Sequence, residues 1–583
     1  MRQFHQIRCG SHGTPRREGS VLVIVLVIVA LLSLGAYSFS EFMLIEAESS
    51  DFHTRAAQSR EAADSGVEMV ASYLADRAAR TPSASYSNSD LFYHQALASA
   101  NAANAHDFGR FSIVSPVLTD TTFQSVRFGL RDESSKINVN QLPSMGMDET
   151  QARQFLMGIP NMTTEIADAI LDWVDTDSQP RQNGAEQSAY NNANPPITVR
   201  NGPMQSLDEM LSIQGITPEL FFGEDLNRNG ILDPNENDGN AQPPNDNADG
   251  ILQRGFVDYF TIYSRESNLK SDNTAKININ DTDLGNLFNA VQTAYGADAA
   301  KFVIAFRTAG PPQQSTSTTG NSGAGGNRSG GGTGSTGSST SGSGGSSGGR
   351  RGSGGGGTGG STGGSSRSGG SSGSGGSSAG GASGAEQPEL VGGIDISGGG
   401  RFKVKSLYEL LGIQISVRID GKQTTLTSPW PKEPGEMMSF LPKLFDTFAI
   451  DSQPVRNGRI NINQAPAEVM MYIPGIDQQV VQAIVAAQSA TGDVSPDRLT
   501  NGWLVVRGLV PLERMIQLDP FVTGQGDVYR FQVVGYHDRG GPMTRIEAVL
   551  DASGVNPKVL MFQDLTRLGS GYSRAQLGLT APQ

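Results

Sequence analysis

From Ser20 to Ser40 the chain reads SVLVIVLVIVALLSLGAYSFS, with no charged residue until Glu41. At 1.5 Å per residue a helix of this length crosses the ~30 Å hydrocarbon core of a bilayer. The text before it is polar and basic, with Arg2, Arg8, Arg16 and Arg17 against Glu18. That asymmetry predicts a cytoplasmic N-terminus and an exported bulk. After Glu41 the pattern turns amphipathic. Ala63, Val67, Val70 and Leu74 recur at three- and four-residue steps within residues 52–80. One helix from about Leu22 to about Arg80 is expected, half in lipid and half packed on a soluble domain. Gly35 and Gly66 are its expected weak points.

Beyond the helix, alternation of Ile or Val with Asn recurs three times: KINVN at 136–140, KININ at 276–280 and RININ at 459–463. Each follows a β-rich stretch. Helical text follows two of them, residues 151–174 and 467–488. Related phrases close the units at 204–216, 404–413 and 505–515. Strand-like text at DVYRFQVVGYHD and TRIEAVLD ends the fold. Repetition on this scale indicates duplicated modules, hence an α+β chain of small sheets and short helices. IPGI within 467–488 resembles a helix-hairpin-helix turn, also called SAM-like; the segment contains Glu468 and Asp477 and no Lys or Arg. Phosphate neutralisation needs cations, so no nucleic-acid partner is expected. The organisation read from the chain is a leader at 1–19, a helix at 20–80, exported α+β segments at 81–309 and 400–583, and between them a disordered Gly/Ser-rich insert at 310–399.

Composition sharpens this. The 583 residues contain 44 Lys and Arg against 58 Asp and Glu, a net charge of −14, which argues against a nucleic-acid-gripping role. Six scattered histidines and the single Cys9 exclude histidine-rich zinc chemistry, cysteine-ligated metals and an intrachain disulfide framework. No nucleophile–base pair stands out, and no catalytic residue is expected.

Two acidic segments carry candidate chemistry. Residues 225–236, DLNRNGILDPNE, fit the twelve-position calcium loop. Asp225, Asn227 and Asn229 supply side-chain oxygens, Gly230 the sharp turn and Ile231 a carbonyl. Asp233 binds directly or through water, and Glu236 closes the loop. The competing reading is a solvated acidic loop, and no exiting helix is expected after Pro234. In the second segment, residues 171–190, Asp172, Asp175, Asp177 and Glu186 crowd together. Such charges require a cation or the nearby Arg181.

Gly19, between the basic leader and the apolar run, resembles the type IV prepilin and pseudopilin cleavage signal, with Ser20 as the first mature residue. A secretory signal peptide and a plain anchor are the ordinary alternatives. Ile24 stands where most relatives of that class carry glutamate, an absence typical of the K-type minor subunit. With DWVDTDSQP…GAE, NGPMQSLDEMLSIQGITPEL and RININQAPAEVMMYIPGI, the chain resembles the type II secretion protein K family. The resemblance implies a non-enzymatic minor pseudopilin in the inner membrane, single-pass, with its bulk in the periplasm. It implies that the protein caps the pseudopilus tip and aids export of secreted proteins. Its partners would be the H, I and J minor pseudopilins, the major pseudopilin and the prepilin peptidase. It further implies calcium, extended to Asp175, Asp177 and Glu186. The alternative from the helical turns is an exported nucleic-acid-binding protein of the competence type.

Overall fold

The computed structural model describes residues 19–97, 108–117, 125–192, 195–311, 389–489 and 496–579. The leader at 1–18 and residues 312–388 of the expected insert lie outside them.

Helix α1 runs from Gly19 to Ala75. From Val21 to Thr54 every residue is exposed among the described residues, about 50 Å of bare helix at 1.5 Å per residue. Its apolar first part is a candidate single-pass membrane anchor. Below Arg55 it lies on an antiparallel sheet and buries Ala62, Ala63, Val67, Val70 and Leu74, the stripe its periodicity predicts.

That sheet is built from both ends of the chain. Its main strands are β1 (Gly109–Pro116), β2 (Val528–His537), β3 (Thr544–Asp551) and β4 (Lys558–Asp564), in that spatial order. Gln95–Ala96 pairs beside β1, Val126–Phe128 also pairs with β1, and Arg131–Asp132 pairs with β2. Phe111, Ile113, Phe531, Val533, Ile546 and Ala548 face α1 and form the core beneath it. Gly66 is a close-approach residue where the sequence suggested only a weak point: a Cβ there would lie 2.5 Å from Val533 Cγ1. Gly535 answers from the sheet, where a Cβ would run into the Ser59 carbonyl oxygen. The helix and β2 therefore meet backbone to backbone.

Three modules lie between β1 and β2 in the chain, and the I-N-x-N phrases mark their entrances. Ile137–Asn138 pairs in parallel with Phe260–Thr261. Ile277–Asn278 does the same with Phe448–Ala449, and Ile460–Asn461 with Val522–Thr523. Each module is thus a loop of chain clasped by a two-residue parallel ladder. The first Asn of each phrase turns the chain, its Oδ1 accepting the N–H two residues on, at Asn140, Asn280 and Asn463 (2.9–3.1 Å). The second Asn pins the closing phrase. Asn140 holds both backbone groups of Met204, Asn280 both of Val404, and Asn463 the carbonyl of Arg498.

The same clamp corrects two expectations. The closing phrase of the third module begins at Arg498, not at 505: Thr500 Oγ1 accepts from Gly502 N as Ser206 and Ser406 accept from Asp208 and Tyr408. The second module has its own helix pair, Leu284–Tyr295 and Ala297–Ala309, broken at Gly296. The expected insert boundary at 399 also moves. Leu390–Val391 and Ile394–Asp395 pair with each other, because the apolar side chains interrupt the glycine run and Ile394 and Ile396 are buried.

Candidate functional site: the acidic loops

Helix Thr164–Val174 carries the first candidate. Thr163 caps it by accepting from Ile166 N, and its apolar face buries Ile166, Ile170, Leu171 and Trp173. Two carboxylates of the helix, Asp168 and Asp172, are drawn in with that face. Asp168 pairs with Arg153 Nε at 2.5 Å, and Asp172 with Arg181 Nη1 at 2.6 Å. Arg181 also reaches Asp175 Oδ2, so the internal counter-ion foreseen from the sequence is present. Even so, burial pushes the Asp172 carboxyl up, with the pairing to Arg181 opposing it.

Arg181 does not neutralise the whole cluster. Asp175, Asp177 and Glu186 bring carboxylate oxygens within 4.8 Å of one another. Glu186 is 3% exposed, yet both its oxygens lack a hydrogen-bond partner, as does Asp175 Oδ1. Burial raises the Glu186 carboxyl above the usual carboxylate range, and the charges of Asp172 and Asp175 add to it. Asn201 was missed in the sequence. Its amide nitrogen donates to the Asp177 carbonyl and to Ser178 Oγ, while its buried Oδ1 has no partner. The signal for it was the Asn-Gly pair at 201–202, and Asn201 does take a positive φ of 44°. Buried oxygens without donors, three of them on carboxylates, suit a hard cation.

The twelve-residue loop is a separate place. Asp225 Oδ1 and Oδ2 accept from Asn229 N (3.0 Å) and Gly230 N (2.8 Å). Glu236 accepts from Leu226 N and Asp233 N. The Asn227 and Asn229 amides both donate to Asp233 Oδ2. Gly230 has φ +70°, the turn its position requires, and Ile231 is buried. After Pro234 the chain makes a single 3-10 turn, Pro234–Glu236, with no exiting helix. Burial, with Asp258 and Glu236 nearby, pushes Asp225 up to about 7; burial likewise pushes Glu236 up to about 7. Sequence reasoning missed Arg545, whose buried guanidinium donates to the Asn227 carbonyl. A cation from β3 therefore already leans on this loop. Among the described residues, the carboxylate trio that converges within 4.8 Å is the one at 175–186, not the one in the loop.

Gly19 and Ser20 form the start of α1. Of the helical turns, the one at Gly158 is half-buried, whereas Gly475 is exposed. A Cβ on Gly158 would lie 2.7 Å from the Glu468 carbonyl oxygen, so the first and third modules press together there.

The architecture is thus a bare apolar helix, a candidate membrane anchor, seated on a sheet and followed by small modules with two acidic loops. Residues 135–222 match the family described as type II secretion system (T2SS), protein K. The chain is 28% identical over 103 residues to a type II secretion system protein K of Klebsiella pneumoniae, covering 16% of this chain and 32% of that protein. A counterpart in Escherichia coli (strain K12) is 29% identical over 108 residues, covering 17% and 33%. The matches span about a third of the length of these relatives. A chain from the crystal structure of the GspK-GspI-GspJ complex of enterotoxigenic Escherichia coli superposes with a TM-score of 0.30 at 8% identity, over 89% of this chain and 98% of that one. So loose a superposition places no residue on another.

Proposed function

We propose that this protein is a non-enzymatic minor pseudopilin of a type II secretion system that caps the pseudopilus tip in the periplasm and aids export across the outer membrane. The observation that carries the proposal is the split character of α1: bare from Val21 to Thr54, seated on the sheet below. An apolar rod with nothing on it is suited to lipid and then to packing among other such helices. The protein K domain supports the same assignment. The folded mass beyond the rod leaves room for further subunits only beneath it. Neighbours of the H, I and J types and the major pseudopilin fit this arrangement, with prepilin peptidase cutting between Gly19 and Ser20. The helix pairs serve as helix-hairpin-helix-like packing units. The close approach of Gly158 to the Glu468 carbonyl favours that role over phosphate contact at the first turn.

We further propose that calcium is held by Asp175, Asp177, Glu186 and Asn201, where partnerless oxygens await a cation. A second ion would sit in the 225–236 loop, on Asp225, Asn227, Asn229, Ile231, Asp233 and Glu236. Both would be structural, tying loops to the modules. The test is purification of the full chain from native membranes in mild detergent. The expected result is a mature N-terminus at Ser20 with minor pseudopilins co-purifying. An intact Met1 start, or a cut beyond residue 30, without such neighbours would refute the assignment.

A further inference from the structure

Two stretches of chain supply the carboxylates of the 175–186 cluster. Asp175 and Asp177 come from the end of helix Thr164–Val174, and Glu186 from the loop that follows. Arg181 joins the two. Its Nη1 donates to Asp172 Oδ1 at 2.6 Å and to Asp175 Oδ2. Its own backbone N–H donates to the two oxygens of Asp172, at 3.3 and 3.2 Å. Further on, Asn183 donates to Asp168 Oδ2 from its backbone N (3.2 Å) and its Nδ2 (3.3 Å). Gly184 permits the close approach: a Cβ there would lie 1.9 Å from Asp172 Oδ2. The loop is thereby laid along the helix, and Glu186 arrives beside Asp175.

The bond to Asp175 also decides which of its oxygens is offered. Oδ2 is taken up by Arg181, while Oδ1 is buried without a hydrogen-bond partner, like both oxygens of Glu186 and Asn201 Oδ1. A carboxylate held through one oxygen presents the other in a set direction, which is how outer partners orient metal ligands. The holder is itself fixed. The Arg181 side chain is 16% exposed and that of Asp172 0%, unlike the loose ion pairs of a protein surface. Charge alone argues the other way, because a cation beside the cluster repels a second cation. Orientation and repulsion thus differ in sign, and a substitution separates them.

We propose that Arg181 is the positioning residue of the 175–186 site: anchored on Asp172, it fixes both the free oxygen of Asp175 and the loop that delivers Glu186, so that calcium binds with its help and not against it. This assignment rests on calcium being the ion of the cluster.

The experiment titrates the full chain in detergent with terbium, read by luminescence excited through tryptophan. Trp173 lies in the helix beside the cluster, and the site's own signal is the part that calcium displaces and that Glu186→Gln abolishes. Arg181→Gln is expected to bind terbium about 10–100-fold more weakly, the usual effect of losing an outer partner of a metal ligand. Should that variant fail to fold, Arg181→Lys keeps the charge on a shorter stem and is expected to bind several-fold more weakly than the parent. Equal or tighter binding in the folded variant would overturn the proposal and leave the calcium site standing. A lower melting temperature in chelator with unchanged terbium affinity would also overturn it, since Arg181 would then serve the fold alone. A parent chain with no signal that is both displaced by calcium and dependent on Glu186 would overturn the site and the proposal together.

Discussion

The calcium assignment at 175–186 makes a quantitative demand. Of the four carboxylates Asp172, Asp175, Asp177 and Glu186, the Arg181 guanidinium pairs with Asp172 and Asp175 only. An ion that binds the folded state alone stabilises it by about 2.7 kcal/mol at a hundredfold excess over its dissociation constant. If the first module melts by itself, that is a rise of about 8 °C; if the whole exported body melts as one unit, about 3 °C. Trp173 and Tyr190 flank the cluster with ring centroids 5.7 Å apart, so tryptophan fluorescence gives a local signal beside the global melt. The informative variant is Glu186→Gln, which keeps shape and removes charge. It should lose the share of the calcium shift that this site supplies, together with the calcium response of Trp173 fluorescence. In chelator it should melt no lower than the parent, because a carboxyl whose folded pKa is raised opposes folding once ionised. The pH dependence has a definite sign. Asp225 and Glu236, ordinarily near 4, sit near 7 when folded without metal, so the folded state holds the extra protons. Without calcium, stability should fall as pH rises from about 4 to 7; with calcium, which needs the carboxylates ionised, the shift should grow over the same window. Identical melts in calcium and chelator, or a full calcium shift in Glu186→Gln, would refute this account.

Two further predictions concern the frame. Gly535→Ala forces a methyl into the Ser59 carbonyl and should cost about 1–3 kcal/mol, seen as faster amide exchange along α1 residues 59–74. Asn280→Ala strips partners from both backbone groups of Val404 and from the Ile450 carbonyl, and should cost about 1–3 kcal/mol in urea unfolding followed by Trp430, which is buried in that module.

The elements written in local pattern were legible beforehand: the α1 stripe, the strands ending the chain, and the three I-N-x-N phrases. The phrases were readable because the asparagines perform the same turn and clamp each time. What escaped were relations between distant residues. The helix pair at 284–309 does the work of its counterparts with different text, since packing needs only apolar spacing and a glycine break. The closing phrase at 498 was misread by a few residues because Thr500 replaces the serine of the other two. The pairing of β1 with β2 joins segments some four hundred positions apart, which no window reveals. At the two acidic segments the carboxylates were visible, but the contact of Asn201 with Asp177 and that of Arg545 with the 225–236 loop show only once the chain is folded.

The divided sheet has a consequence for biogenesis. Its first strand is made early, whereas the three that complete it are made some four hundred residues later. The modules between them close on their own short ladders and need not wait. The foot of α1 gains its full seat only after the strands at 528–564 have been made. Until then an emerging chain has a rod without a socket, so a product truncated upstream of residue 528 would present a helix that no folded body holds.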